Sequence, residues 1–175
     1  MAFKMDIQAE LLDEFASEIH AGRVAVHVTD KRWFDSLRRK FPVRTSGVCW
    51  EEVPNARSRH AGSFRFSLPE KAREIHGFLR EFGEAAGLGQ GDRCIVFGDN
   101  VTEVALEMPF RDLLERFLVF FSLPQETYVL TPDECWCFAF TFEEDMYFAK
   151  SPWACLGSDA GGCQTRPGGK TEERS

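Results

Sequence analysis

Apolar side chains recur every four residues at the start of this chain: Ile7, Leu11, Phe15 and Ile19, with Leu12 widening the stripe. That spacing predicts an amphipathic helix over about residues 4–19, stopped by Gly22. The period then drops to two. Val24, Val26 and Val28 alternate through Arg23–Val28 and predict a strand with these valines on one face. A second helix, capped by Thr29 or Asp30, runs to Phe41, where Pro42 ends it. Gly47–Val53 and Ser63–Ser67 read as a strand pair joined by the polar Pro54–Ala61 connection.

Ser67-Leu68-Pro69-Glu70 has the form of a capping box with proline near the helix start. The helix it opens shows Ile75, Phe78, Leu79 and Phe82 on one side and stops at the glycines 87, 89 and 91. Cys94–Gly98 and Thr102–Met108 form a predicted hairpin around Gly98-Asp99-Asn100. Pro109 starts the next helix, with Phe110, Leu113, Leu114, Phe117, Leu118 and Phe121 in helical period, and Pro124 closes it. Tyr128–Thr131, Cys135–Phe142 and Met146–Lys150 complete a three-strand meander.

The resulting order, α-β-α-β-β-α-β-β-α-β-β-β, has consecutive strands joined by short connections. It predicts an α+β fold, a mainly antiparallel sheet with about four helices packed on it. Trp136, Phe138, Phe140 and Phe142 share one face of their strand, where helix 110–121 can cover them; Cys135, Cys137, Ala139 and Thr141 occupy the other. With neither face strongly polar, this is a central strand. Residues 1–150 read as a single domain, and residues 151–175, poor in apolar side chains, as a flexible disordered tail.

Composition adds two things to this picture. Seventeen of 175 residues are Phe, so the core is built from aromatic packing. The net charge of −7 is also unevenly spread: residues 91–150 carry twelve acidic and four basic side chains, a net of −8, whereas residues 1–90 come to +1. Such asymmetry concerns partners rather than fold. The N-terminus has no apolar core followed by a cleavage site, and the longest aliphatic and aromatic run, Phe117–Phe121, is too short for a membrane span. These features place the chain in the cytoplasm, where its six cysteines are expected as free thiols.

No catalytic motif, cofactor site or metal site stands out. Gly87-Leu88-Gly89-Gln90-Gly91 ends a helix and precedes a strand, the reverse of a phosphate-binding glycine loop, and reads as a C-cap and turn. Cys135 and Cys137 lack the second ligand pair that zinc needs, and the four His, at 20, 27, 60 and 76, are scattered. A site around His27 and a strand cysteine, Cys49 or Cys94, stays open as an enzymatic alternative. A second alternative is a nucleic-acid-binding or regulatory module using the basic 31–65 region. Its residues are Lys31, Arg32, Arg38, Arg39, Lys40, Arg44, Arg57, Arg59 and Arg65, with Trp33, Phe34 and Phe41 interleaved. An overall pI near 5.2 weighs against nucleic acid.

The stretch Asp133-Glu-Cys-Trp-Cys-Phe-Ala-Phe-Thr-Phe-Glu-Glu-Asp-Met-Tyr-Phe148 resembles the ends of small bacterial immunity proteins, the cytoplasmic partners of polymorphic or contact-dependent-inhibition toxins. The similarity is a pattern of aromatic strand, acidic turn and further aromatic strand, followed by a tail. It implies a non-enzymatic inhibitor whose acidic surface pairs with the basic active site of a nuclease-type toxin. Asp133, Glu134, Glu143, Glu144 and Asp145 are then the expected partner-facing charges, with Asp99 behind them. Phe138, Phe140 and Phe142 are expected to be structural.

Overall fold

The computed structural model describes residues 2–28, 30–44, 47–61, 68–99 and 101–153. Its centre is a seven-stranded antiparallel sheet. In chain order the strands are β1 (Ala25–His27), β4 (Arg57–His60), β5 (Arg93–Gly98), β6 (Ala105–Pro109), β7 (Thr127–Leu130), β8 (Trp136–Phe140) and β9 (Asp145–Lys150). They lie side by side as β1-β6-β5-β7-β8-β9-β4. A separate two-strand ribbon, β2 (Val43–Arg44) with β3 (Gly47–Val48), sits outside the sheet. The predicted α+β class, the β5–β6 pair and the β7-β8-β9 meander are all present.

One face of the sheet is covered by α1 (Ala2–Glu14), α2 (Ala16–His20), α4 (Leu68–Ala86) and α5 (Phe110–Phe121). Here the aromatic packing forecast by composition is concentrated. Phe138 on β8 meets Phe78 and Phe82 of α4 and stacks on Phe121 of α5, with ring centroids 6.1, 5.8 and 5.7 Å away. Phe121 also stacks on Phe140 at 4.8 Å. The opposite face is thinner. Trp33, Leu37 and Phe41, from α3 (Lys31–Lys40) and the residue after it, bury against Ile95, Phe97, Tyr128 and Leu130.

The predicted helix 4–19 is broken. Phe15 leaves helical geometry (φ −108°, ψ 10°), separating α1 from α2. A second break, at Arg116 inside α5 (φ −123°, ψ 15°), lies directly against it. The Arg116 guanidinium packs over the Phe15 ring at 4.6 Å and donates to Glu14 at 2.7 Å and Glu18 at 3.2 Å. Phe15 is fully buried and stacks on Phe120 at 5.2 Å. A straight helix serves its own hydrogen bonds; this junction gives up part of one to sink an aromatic ring and pair a cation.

Other boundaries also moved. Val28 lies past the end of β1 and is 85% exposed. The Gly47–Val53 strand is instead the short β3 followed by a 3-10 turn, Trp50–Glu52, and the connection holds strand β4 at the sheet edge. Ser63–Ser67 with the capping-box serine, Thr29 and the predicted turn residue Asn100 lie outside the described residues. The same holds for residues 154–175 of the expected tail. Asp30 precedes α3 without a side-chain capping bond. The glycine reading holds: Gly87 has φ +71°, and the Leu88 amide reaches back to the Gly83 carbonyl at 2.8 Å, closing α4.

The strand face drawn through Phe142 also ends early. Thr141 turns the chain, its amide bonding the Asp145 carbonyl at 2.8 Å, and Phe142 is left 69% exposed rather than structural. The six-free-thiol expectation fails at Cys135, which is disulfide-bonded, while Cys49, Cys94 and Cys137 are free. Past β9 the chain runs beside it, the Ser151 amide donating to the Cys135 carbonyl at 2.7 Å. Among the described residues no helix is long and apolar enough to cross a membrane.

These contacts separate two phenylalanines four residues apart. Phe138→Ala should cost about 3–5 kcal/mol of unfolding free energy, as large-to-small changes in packed aromatic cores do. Phe142→Ala should stay within about 0.5 kcal/mol of wild type. Parallel urea melts of the two variants measure both.

Candidate functional site

The acidic residues singled out above do not share one place. Asp133 and Glu134 occupy the β7–β8 turn; Glu143, Glu144 and Asp145 lead into or begin β9 at the other end of β8. A strand rise of about 3.3 Å per residue puts the two groups roughly 25 Å apart. Most of them also have work within the fold. Asp133 Oδ1 accepts from the Cys135 amide at 3.0 Å and from the Thr131 hydroxyl, closing the turn. Glu134 accepts from the hydroxyl of Ser36, a fully buried residue of α3. Glu144 pairs with Lys71 at 2.6 Å and Asp145 with His60 at 2.7 Å. Glu143 is exposed and makes no hydrogen bond or ion pair among the described residues.

What the fold adds is a second source of acid at the Glu143 end. Gly98 at the end of β5 is in register with Thr127 at the start of β7, and Thr127 with Phe140 at the end of β8. Asp99, Glu126 and Glu143 therefore follow or precede neighbouring strands along one rim. Asp99 and Glu126 are locked together by the backbone: the Asp99 amide donates to the Glu126 carbonyl at 3.1 Å, and the Glu126 amide to Asp99 Oδ1 at 3.0 Å. Buried Gln125 holds the loop behind them, its Oε1 accepting from the Val101 and Thr102 amides at 3.0 and 3.1 Å. A Cβ on Gly98 would collide with that Gln125 amide, so only glycine lets the clamp close.

The rim is electrostatically uncomfortable. Glu126 is held above the usual carboxylate range, first by burial and then by the charges of Asp99 and Glu143; a hydrogen bond from the Tyr128 hydroxyl opposes them. Tyr128 is in turn pushed up by burial and by Glu126. Gly47 (φ +103°) brings the β2–β3 ribbon over this pair, and a Cβ there would sit 2.6 Å from the Tyr128 hydroxyl and 2.7 Å from Glu126 Oε2. Glu126 escaped sequence reasoning because β6 and α5 separate β5 from β7 in the chain. Only their pairing brings it to Asp99.

The alternative sites come out dispersed. His27, on the edge strand, lies 3.1 Å from Glu107, which also takes the Arg93 Nε at 2.6 Å; the His27 ring abuts Trp33 on the α3 side. The hydrogen bonds from Arg93 and His27 hold Glu107 below its ordinary value although burial pushes the other way. Cys94 belongs to the opposite face, its thiol pushed up by full burial. Cys49 lies beside Tyr147 of β9, with β6, β5, β7 and β8 between that strand and β1. The basic residues divide too. Lys31, Arg32, Arg38 and Arg39 line the outside of α3 and Arg44 pairs with Glu52. Arg57 and Arg59 pack over Phe148 and Phe78 of the other layer, and Arg59 bonds Glu81 at 2.8 Å. Arg65 lies outside the described residues. Among the described residues no three His, Cys, Asp or Glu side chains are grouped to hold a metal. No protein-family model matches the chain, and no curated protein matches it significantly.

The raised Glu126 fixes the sign of a pH effect. Folding makes its proton harder to lose, so its stabilising contribution is complete below the unfolded value, about pH 4.3, and is lost as pH rises through the higher folded value. Glu126→Gln keeps an acceptor for Tyr128 without the charge. Its Tm should exceed that of wild type at pH 7, and the gap should close as the pH falls towards about 4. Thermal melts across that range measure it.

Proposed function

We propose that the protein is a non-enzymatic binding protein, an immunity protein that neutralises a cognate bacterial toxin with the carboxylate rim formed by Asp99, Glu126 and Glu143. The observation that carries this reading is that three like charges are gathered at one end of the sheet, with one of them partly buried, at a cost to the free protein. A basic partner turns that cost into attraction, and a concentrated negative rim also speeds encounter. Phe142, 69% exposed beside Glu143, gives the rim an aromatic anchor of the kind that dominates protein interfaces. The partner so defined is a protein with a cationic active site, such as a nuclease-type toxin. Glu144 and Asp145 serve this rim indirectly, since their bonds to Lys71 and His60 hold the turn that presents Phe142 and Glu143.

The test is co-expression in a bacterium with any candidate toxin encoded beside this gene, together with affinity measurements on the purified pair. Wild type should restore growth. Asp99→Lys with Glu143→Lys should lose the rescue and weaken binding by roughly a hundredfold; Glu143→Lys alone, which breaks no hydrogen bond among the described residues, and Phe142→Ala should each weaken it by roughly tenfold with melting temperatures little changed. Full rescue and unchanged affinity for the double reversal, at low and physiological salt, would remove the rim from the mechanism. Absence of any protection would remove the toxin reading itself.

A further inference from the structure

Where the 3-10 turn Trp50–Glu52 folds over β9, Trp50 and Tyr147 lie face to face, with ring centroids 5.3 Å apart and planes within 6° of parallel. They line a cleft of about 400 Å³, within the range of small-ligand sites, together with Arg44, Cys49, Glu51 and Ser58. Arg44 is already matched by Glu52. Glu51, on the cleft wall, is exposed and makes no hydrogen bond or ion pair among the described residues. The surroundings of the aromatic pair are negative: the Tyr147 hydroxyl is raised by burial, and then by Asp145, Glu51, Glu143 and Glu126.

An aromatic surface in a negative field, with an unmatched carboxylate at hand, selects its occupant by chemistry. Phosphates and carboxylates are repelled. An ammonium satisfies the charge but cannot stack. A guanidinium is planar, weakly hydrated, stacks on aromatic faces and pairs with a carboxylate through two parallel N–H groups. We propose that this cleft receives an arginine side chain from a basic protein partner, its guanidinium packing on the part of the Trp50–Tyr147 stack that the two rings leave uncovered and donating to Glu51. The proposal rests on the toxin-binding reading for the partner's identity, but not for the chemistry of the cleft.

The experiment titrates the full chain with a short arginine-rich peptide and with its lysine counterpart, following the Trp50 indole N–H by NMR. The arginine peptide should move that signal saturably and bind at least about threefold more tightly than the lysine peptide. Glu51→Gln, a surface change with little risk to folding, and Tyr147→Leu should each weaken it about three- to tenfold. Equal affinities for the two peptides, or an affinity unchanged in Glu51→Gln, would overturn the proposal. So would binding of the adjacent-gene toxin that is lost in the Asp99→Lys, Glu143→Lys variant yet untouched by Glu51→Gln; the toxin reading would survive that result. Arginine-selective binding that depends on Glu51, in a protein that protects against no neighbouring toxin, would keep the cleft and discard the toxin.

Discussion

The burial of Phe138 between the sheet and two helices is the contact on which the rest of the structure depends. Its ring touches α4 through Phe78 and Phe82 and α5 through Phe121, so one side chain ties together three elements that are distant in the chain. Aromatic rings bury large areas with few rotatable bonds, which suits a core that must join helices at an angle to strands. With β8 anchored this way, its two ends are fixed in space. The turns there can carry charge and positive φ angles, at Glu134 and Glu144, without loosening the sheet.

That anchoring separates structural acid from available acid. Around the Asp133–Glu134 turn, carboxylates are consumed by amide and hydroxyl donors. Around the opposite end, a backbone-locked Asp99–Glu126 pair stands near Glu143, which makes no hydrogen bond or ion pair among the described residues, and the like charges push Glu126 up. The same physical group, a carboxylate near a tight turn, therefore plays opposite parts depending on whether a donor lies within reach. Net charge per segment cannot distinguish them; hydrogen-bond geometry can.

Much of the fold was legible in the sequence because its long elements are strongly periodic. The apolar stripe of α5 named most of its buried face, missing Phe120 and including Leu118, which is exposed; the alternation of β8 named its own, and α4 ended at the glycine it was expected to use. Legibility failed where elements are short or polar. Strand β4, Arg-Ser-Arg-His, has no apolar alternation, and its place beside β9 comes from pairing alone. Phe142 obeyed the alternation but fell past the turn begun by Thr141. The candidate site was half visible for a similar reason. Glu143 stands in an obvious acidic run, whereas Glu126 gains its meaning from Asp99, 27 residues back, brought beside it by the pairing of Gly98 with Thr127.

The ends of the sheet order carry one more consequence. β1 has three residues and is stitched down by His27, Glu107 and Arg93; β4 has four residues and bears two arginines and a histidine. Edges that short and that charged are poor templates for another strand. The middle of the sheet, dense with phenylalanine and valine, is thereby flanked on both sides by strands that offer a second copy little to pair with.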